Sequence, residues 1–222
     1  SMVHGAMAWP MAEFLRLVLP GWLAAPAEHR GLYEHALAAL PLLPLLGFVI
    51  NGLGWRRMPR RLAGAVACGA AGLSFLWSLL TFAAFAAGGG ESPAPLHAGY
   101  GPWIEAGGFS CSFGLYLDSL AVVMALVVTG VGTVIHFYSL GYMAEDEGYA
   151  RYFAYLNLFL AAMLVLVLAD NLVLMFVGWE GVGLCSYLLI GFWYEDAAKA
   201  AAGVKAFIFN RIGDLSFVLG IF

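Results

Sequence analysis

Three ionisable residues lie deep in apolar sequence, and their types and spacing suit proton handling: Glu180, Arg211 and Asp214. A carboxylate or guanidinium at the centre of a bilayer costs at least about 2.5–3.5 kcal/mol on insertion scales, so such groups face protein or water and mark ion pathways. Arg211 and Asp214 are three apart, which on a helix puts both side chains on one face and within reach of each other. A carboxylate held by a guanidinium stays ionised, so this pair reads either as a helix-locking ion pair or as part of a pathway. Glu180 has no oppositely charged neighbour on its own apolar segment. Burial then favours its neutral form and an approaching cation its charged form, which is what a side chain needs to load and release a proton. Glu180 is therefore the better proton carrier of the three.

Two further residues carry weaker signals. Lys205, six residues before Arg211, reads as a lysine snorkelling to the interface or as a pathway residue. His136 reads as a hydrogen-bonded packing histidine or as a proton relay. Asp118 and Asp170 fall at the edges of apolar segments, where Asp118 can cap a helix and Asp170 a tight turn. Around the glutamate, the run Gly178-Trp179-Glu180-Gly181-Val182-Gly183 removes side chains and admits a neighbouring helix or water. It is no dinucleotide fingerprint, which would follow a strand and open a helix at a soluble crevice.

The elements that must position these groups follow from composition. Of 222 residues, 63% are hydrophobic and 11% charged, against roughly a quarter charged in a soluble domain. The apolar residues come in uncharged runs of about 20, enough for a helix to cross a hydrocarbon core about 30 Å thick. The net charge of −4 supplies no basic stripe, which sets nucleic acid aside. Cys68, Cys111 and Cys185 lie far apart without a Cys-x-x-Cys pair, so neither zinc nor an iron–sulfur cluster is signalled, and no metal site is expected.

Six spans are expected: about Ala36–Trp55, Leu62–Gly88, Leu117–Tyr142, Phe153–Leu168, Leu172–Tyr194 and Ala200–Phe222. An interrupted apolar stretch before them, with Pro10, Glu13, Arg16 and Pro20, reads as a surface amphipathic helix. Arg56, Arg57, Arg60 and Arg61 crowd the first loop, and by the positive-inside rule that loop is cytoplasmic and the N-terminus outside. Residues 89–112 then form an outer loop, in which Gly107-Gly108 between Trp103-Ile104-Glu105 and Phe109 through Leu117 predicts a small β-hairpin. The expected fold class is an all-α membrane protein of about six transmembrane helices with a small outer hairpin. Antiparallel fifth and sixth spans bring Glu180 and Arg211, roughly 13 and 16 Å from the outer end at 1.5 Å per residue, near one level.

At these residues the chain resembles a known family. The stretches Val127-Val128-Thr129-Gly130-Val131-Gly132, Glu147-Gly148-Tyr149 with Arg151-Tyr152-Phe153, Leu168-Ala169-Asp170-Asn171-Leu172, Gly178 through Phe192, and Asn210-Arg211-Ile212-Gly213-Asp214 are similar to antiporter-like subunits of respiratory NADH:quinone oxidoreductase, complex I. The likeness is to the form called subunit L in bacteria and subunit 5 in mitochondria. It implies a proton-translocating membrane-arm subunit, enzymatic only as part of the complex, in a bacterial inner membrane beside other membrane-arm subunits. Glu180 matches the family's intramembrane glutamate, and Arg211 and Asp214 its charged pair on the following helix. NADH, flavin, iron–sulfur clusters and quinone would be bound by other subunits, with no cofactor on this chain and no small-molecule substrate besides protons.

The resemblance covers residues 113–222, which reads as the start of an antiporter-like domain after a 1–33 extension and a 34–112 segment holding two spans and the outer loop. Family members are far longer, with two inverted repeats and a lysine that pairs with the glutamate beyond Phe222, so the chain is expected to be an N-terminal fragment. Rival readings are a multi-subunit sodium/proton antiporter, a ferredoxin-dependent relative, and a non-catalytic membrane scaffold.

Overall fold

The computed structural model describes residues 34, 36–87 and 95–221. The amphipathic helix expected within residues 1–33 lies outside the described residues, as does residue 222 of the sixth span. In chain order the described residues form α1 Ala39–Gly54, α2 Arg60–Ala87, β1 Leu96–Ala106, β2 Phe109–Leu117, α3 Ser119–Tyr142, α4 Tyr149–Leu168, α5 Leu172–Ile190 and α6 Ala197–Ile221.

The helices answer the six expected spans, with different credentials. Four of them, α2 to α5, are long and apolar enough to cross a membrane. The 16 residues of α1 reach roughly 24 Å at 1.5 Å per residue, short of a core about 30 Å thick. The 25 residues of α6 are long enough, but carry Lys199, Lys205, Arg211 and Asp214, so its place in lipid depends on partners for those charges. The chain is thus a multi-pass membrane protein.

Packing centres on α4, which lies against α1, α2, α3 and α5, whereas α6 packs chiefly on α5. At one end the hairpin closes the bundle. Leu96, Ala98, Leu115 and Leu117 turn inward and join Leu37, Leu40, Phe85, Val122, Leu168 and Leu174 in one core. Gly107 takes φ +59° in the two-residue turn, a conformation glycine adopts without strain. β1 begins seven residues before the expected Trp103, at Leu96. Its early part contains Gly99, Gly101 and Pro102, which read as loop residues; irregularities in the ladder between Gly99 and Ile104 absorb them.

The helix ends follow from local chemistry. Asp118 caps α3, its Oδ1 accepting the Ala121 N–H at 2.8 Å, as expected. At the α4–α5 turn the cap is Asn171, whose Oδ1 accepts the Leu174 N–H at 2.9 Å, and not Asp170. Asp170 stands one residue too early to reach the first turn of α5, and its Oδ2 instead lies 3.1 Å from His97 Nε2 on the hairpin. At the opposite end Asp196 leads into α6, with the Ala198 N–H donating to its Oδ1 at 2.9 Å and Lys199 Nζ 3.4 Å from Oδ2. The Ala198 N–H first, and Lys199 after it, hold this exposed carboxyl below the usual carboxylate range.

The basic residues gather at that same end. Arg56 and Arg57 lie in the α1–α2 turn, but Arg60 and Arg61 open α2 instead of lying in the loop, because the residues after Pro59 already have helical hydrogen bonds. Arg60 donates to Ala144 O at 2.5 Å, tying the start of α2 to the α3–α4 turn. Arg151 sits over the Phe192 and Tyr194 rings at 4.7 and 5.0 Å. α5 ends at Ile190, four residues before the expected Tyr194, because the chain turns at Gly191 and buries Phe192 among Ala63, Ala67, Tyr149 and Phe153.

Candidate functional site

Glycine sets the positions of the two helices that carry the charges. On α5, a Cβ at Gly178 would stand 2.5 Å from Leu166 N and one at Gly181 2.9 Å from Ala162 Cβ, so both glycines seat α5 against α4. Gly183 faces the other way, where a Cβ would stand 3.5 Å from Arg211 and Asn210 of α6. Below it, Gly203 of α6 lies against Gly191, leaving 3.1 Å for a Cβ. The glycine run around Glu180 therefore admits two neighbouring helices, one on each side.

This close approach lets Arg211 reach across from α6. Its terminal Nη2 lies 2.5 Å from Glu180 Oε2, and its Nε lies 2.9 Å from Asp214 Oδ2 one turn further on. The second approach is an ion pair without an aligned hydrogen bond, since neither Nε nor Oδ2 finds a hydrogen-bond partner among the described residues. The other Asp214 oxygen, Oδ1, accepts the indole N–H of Trp179 at 2.8 Å. The Trp179 ring stacks on Phe217 at 5.9 Å and 9°, and the Phe207 ring lies 4.7 Å from the Arg211 guanidinium carbon.

Two helices thus present one guanidinium to two carboxylates. Asp214 is buried, 5% exposed, whereas Glu180 and Arg211 side chains keep 27% and 37% of their surface open. With all three ionised the cluster carries one net negative charge. One of the two carboxylate charges is then left without a cation of its own.

Glu180 has no charged partner on its own helix, as read from sequence, but takes one from α6, so Arg211 is shared and not confined to Asp214. Helical spacing identifies pairs within one segment only, and the Glu180–Arg211 contact exists because the turn at Gly191 folds α6 back on α5. The expected level match of Glu180 and Arg211 is realised as direct contact. Trp179 was not singled out from sequence for any role, yet it holds the inner carboxylate. A buried carboxylate requires donors and an indole is donor only, but nothing in the linear order pairs Trp179 with Asp214.

The other candidates stand apart. His136 is 1% exposed on α3, with Nδ1 2.7 Å from Gly132 O and its ring 6.2 Å from Phe153 of α4. Lys205 is exposed on α6. Cys68 and Cys185 are buried thiols in the packing. Among the described residues no three of His, Cys, Asp and Glu converge as metal ligands would.

Residues 169–222, which hold the whole charge cluster, match the family described as the NADH:quinone oxidoreductase/Mrp antiporter transmembrane region, and residues 103–153 match the N-terminus of complex I chain 5. Over these two stretches the chain is similar to complex I chain 5 and its antiporter-like relatives. Its relatives include NADH-quinone oxidoreductase subunit L of Rickettsia conorii, 44% identical over 190 residues, which is 86% of this chain and 28% of the relative. Subunit L of Escherichia coli is 46% identical over 187 residues, 84% of this chain and 30% of its own length. For Mycobacterium tuberculosis subunit L the identity is 47% over 188 residues, 85% and 29% of the two chains. The chain therefore spans less than a third of the length of these family members.

Proposed function

We propose that this chain supplies the first part of a proton-translocating membrane-arm subunit of an NADH:quinone oxidoreductase, in a bacterial inner membrane. The observation that carries this reading is the Arg211 guanidinium shared between Glu180 and Asp214 across the α5–α6 interface. Asp214, fixed by Trp179, anchors Arg211. Glu180 is the loading site: with a proton it is neutral and loosens its hold on Arg211, and without one it is held by Arg211. A second cation brought up to Glu180 by the rest of the subunit favours the ionised form and expels the proton. Electron transfer, with its NADH, flavin, iron–sulfur clusters and quinone, belongs in this reading to other subunits, and neighbouring membrane-arm subunits are the partners. Lys205 is assigned to snorkelling at the interface and His136 to the α3–α4 packing.

Glu180→Gln in the complete complex tests this. Glutamine keeps a hydrogen bond to Arg211 but cannot release a proton, so vesicles should retain quinone reduction while the proton-to-electron ratio falls. An unchanged ratio would favour the scaffold reading. Sodium-dependent translocation by the parent complex would favour the antiporter reading, which the matched family's description also embraces.

The orientation has its own test. With the arginine-bearing end cytoplasmic, a cysteine introduced at Met58, half-buried in the α1–α2 turn, should react with an impermeant thiol reagent only from the cytoplasmic side. Reaction from outside would invert the proposed topology.

A further inference from the structure

Away from the charge cluster, a short stretch of the α1–α4 bundle holds polar atoms that no group among the described residues satisfies. Asn51 Oδ1, Asn157 Oδ1, His136 Nε2 and Thr133 Oγ1 are all buried without a hydrogen-bond partner. The residues are nine-tenths or more buried: Asn51 and Asn157 are 0% exposed, His136 1% and Thr133 9%. They come from α1, α3 and α4, and contacts place them within about one helical turn of one another along the bundle. A Cβ on Gly47, one turn before Asn51, would stand 2.7 Å from Asn157 Oδ1. His136 packs on Phe153, whose carbonyl accepts the Asn157 amide at 3.0 Å, and a Cβ on Gly132, beside Thr133, would stand 2.9 Å from Leu160. The layer lies between two apolar clusters, one around Ala63, Ala67 and Phe153 and one around Ala71, Ala125, Leu160 and Leu164.

The chemistry of the four atoms says what fits them. Both asparagines already aim their amide nitrogens at carbonyls, with one N–H each donated, Asn51 to Ala63 O at 3.2 Å and Asn157 to Phe153 O. Their free atoms are acceptors. His136 Nδ1 faces the Gly132 carbonyl, so Nδ1 carries the proton and Nε2 of the neutral ring is an acceptor too. Thr133 provides the only hydroxyl. Thr129, one turn earlier, satisfies its own on Ala125 O at 2.6 Å, the ordinary helical solution, whereas Thr133 does not. Three acceptors cannot satisfy one another. The layer requires a small donor of hydrogen bonds, and an unmet polar atom inside a bilayer-embedded bundle costs several kcal/mol.

We infer that the bundle of α1, α2, α3 and α4 holds an internal water site at Asn157, with ordered water donating to Asn157 Oδ1 and bridging it to Thr133 Oγ1. Such a site needs two to four polar partners per water, which this layer supplies and the apolar clusters on either side do not. The site is independent of the proton-loading reading of Glu180. It pins α3 to α4 through water.

The test uses the complete complex and the isosteric variant Thr133→Val. If water bridges the layer, valine removes one of its partners, and the thermal midpoint should fall by about 2–4 °C. If the layer is dry, valine merely removes an unpaired hydroxyl and the midpoint stays or rises, which overturns the inference. A density map of the parent complex fine enough to place waters should show at least one within hydrogen-bond distance of Asn157 Oδ1. A dry layer in such a map also overturns it. Retained quinone reduction coupled to proton transfer in the variant separates this structural water from the Glu180 site.

Discussion

Replacing Arg211 by methionine in the complete subunit is expected to abolish proton transfer through it while electron transfer to quinone continues. Among the described residues, the guanidinium is the one cation touching either carboxylate of the cluster. Without it, the Glu180 and Asp214 carboxyls have no counter-charge between them to hold the unloaded state of the proposed site. A permanently loaded site cannot cycle. Breaking a fully buried pair costs about 3–5 kcal/mol, less here because the Arg211 side chain is 37% exposed, so the subunit should still assemble. Arg211→Lys keeps the charge but loses the planar fork that reaches both carboxylates, and should recover only part of the activity. Proton uptake by reconstituted vesicles, measured beside quinone reduction, reads the effect. An unaltered proton-to-electron ratio in Arg211→Met would remove the cluster from the mechanism.

Gly178→Ala should have an effect of another kind, on assembly. An added Cβ there would stand 2.5 Å from Leu166 N and 2.6 Å from its Cα, and backbone cannot swing aside as a side-chain tip can. α4 and α5 would have to separate locally, in a place where small residues let helices touch along their backbones. Overpacking of this sort costs about 1–3 kcal/mol or more. Because α5 carries Glu180, Trp179 and the contact with α6, the displacement reaches the charge cluster as well. The expected result is little assembled complex in membranes, with impaired proton transfer in what remains. Gly213→Ala on α6, where nothing lies within 4 Å of the added atom, is the matched control and should assemble normally. Normal assembly of both variants would show that the α4–α5 contact tolerates separation.

Membrane character, the approximate spans and the hairpin turn are legible from the chain alone because each rests on local physics. A helix in lipid satisfies its own backbone, so a long apolar run declares it without reference to any neighbour. Gly107-Gly108 announces a turn because the positive φ at Gly107 is a property of that residue. The i,i+3 pair of Arg211 and Asp214 is readable for the same reason, since one helix contains it. Asp118 as a cap is likewise a matter of three neighbouring residues.

The partners of charges across helices are not local, and there the sequence falls silent. Glu180 is alone on α5 when read along the chain, and shared with Asp214 through Arg211 once Gly191 has turned α6 back. Trp179 on Asp214, Asp170 on the hairpin's His97, and the inward layer of Asn51, Thr133, His136 and Asn157 depend equally on which faces the helices bring together. Hydrophobic periodicity is a weak guide to those faces in lipid, because the outward side is as apolar as the core, as Leu120, Val134, Ile212 and Leu219 are here. Composition and spacing therefore determined that this chain lies in a membrane and which residues carry its charges; only the close packing at Gly178, Gly183, Gly191 and Gly203 decided which of those charges meet.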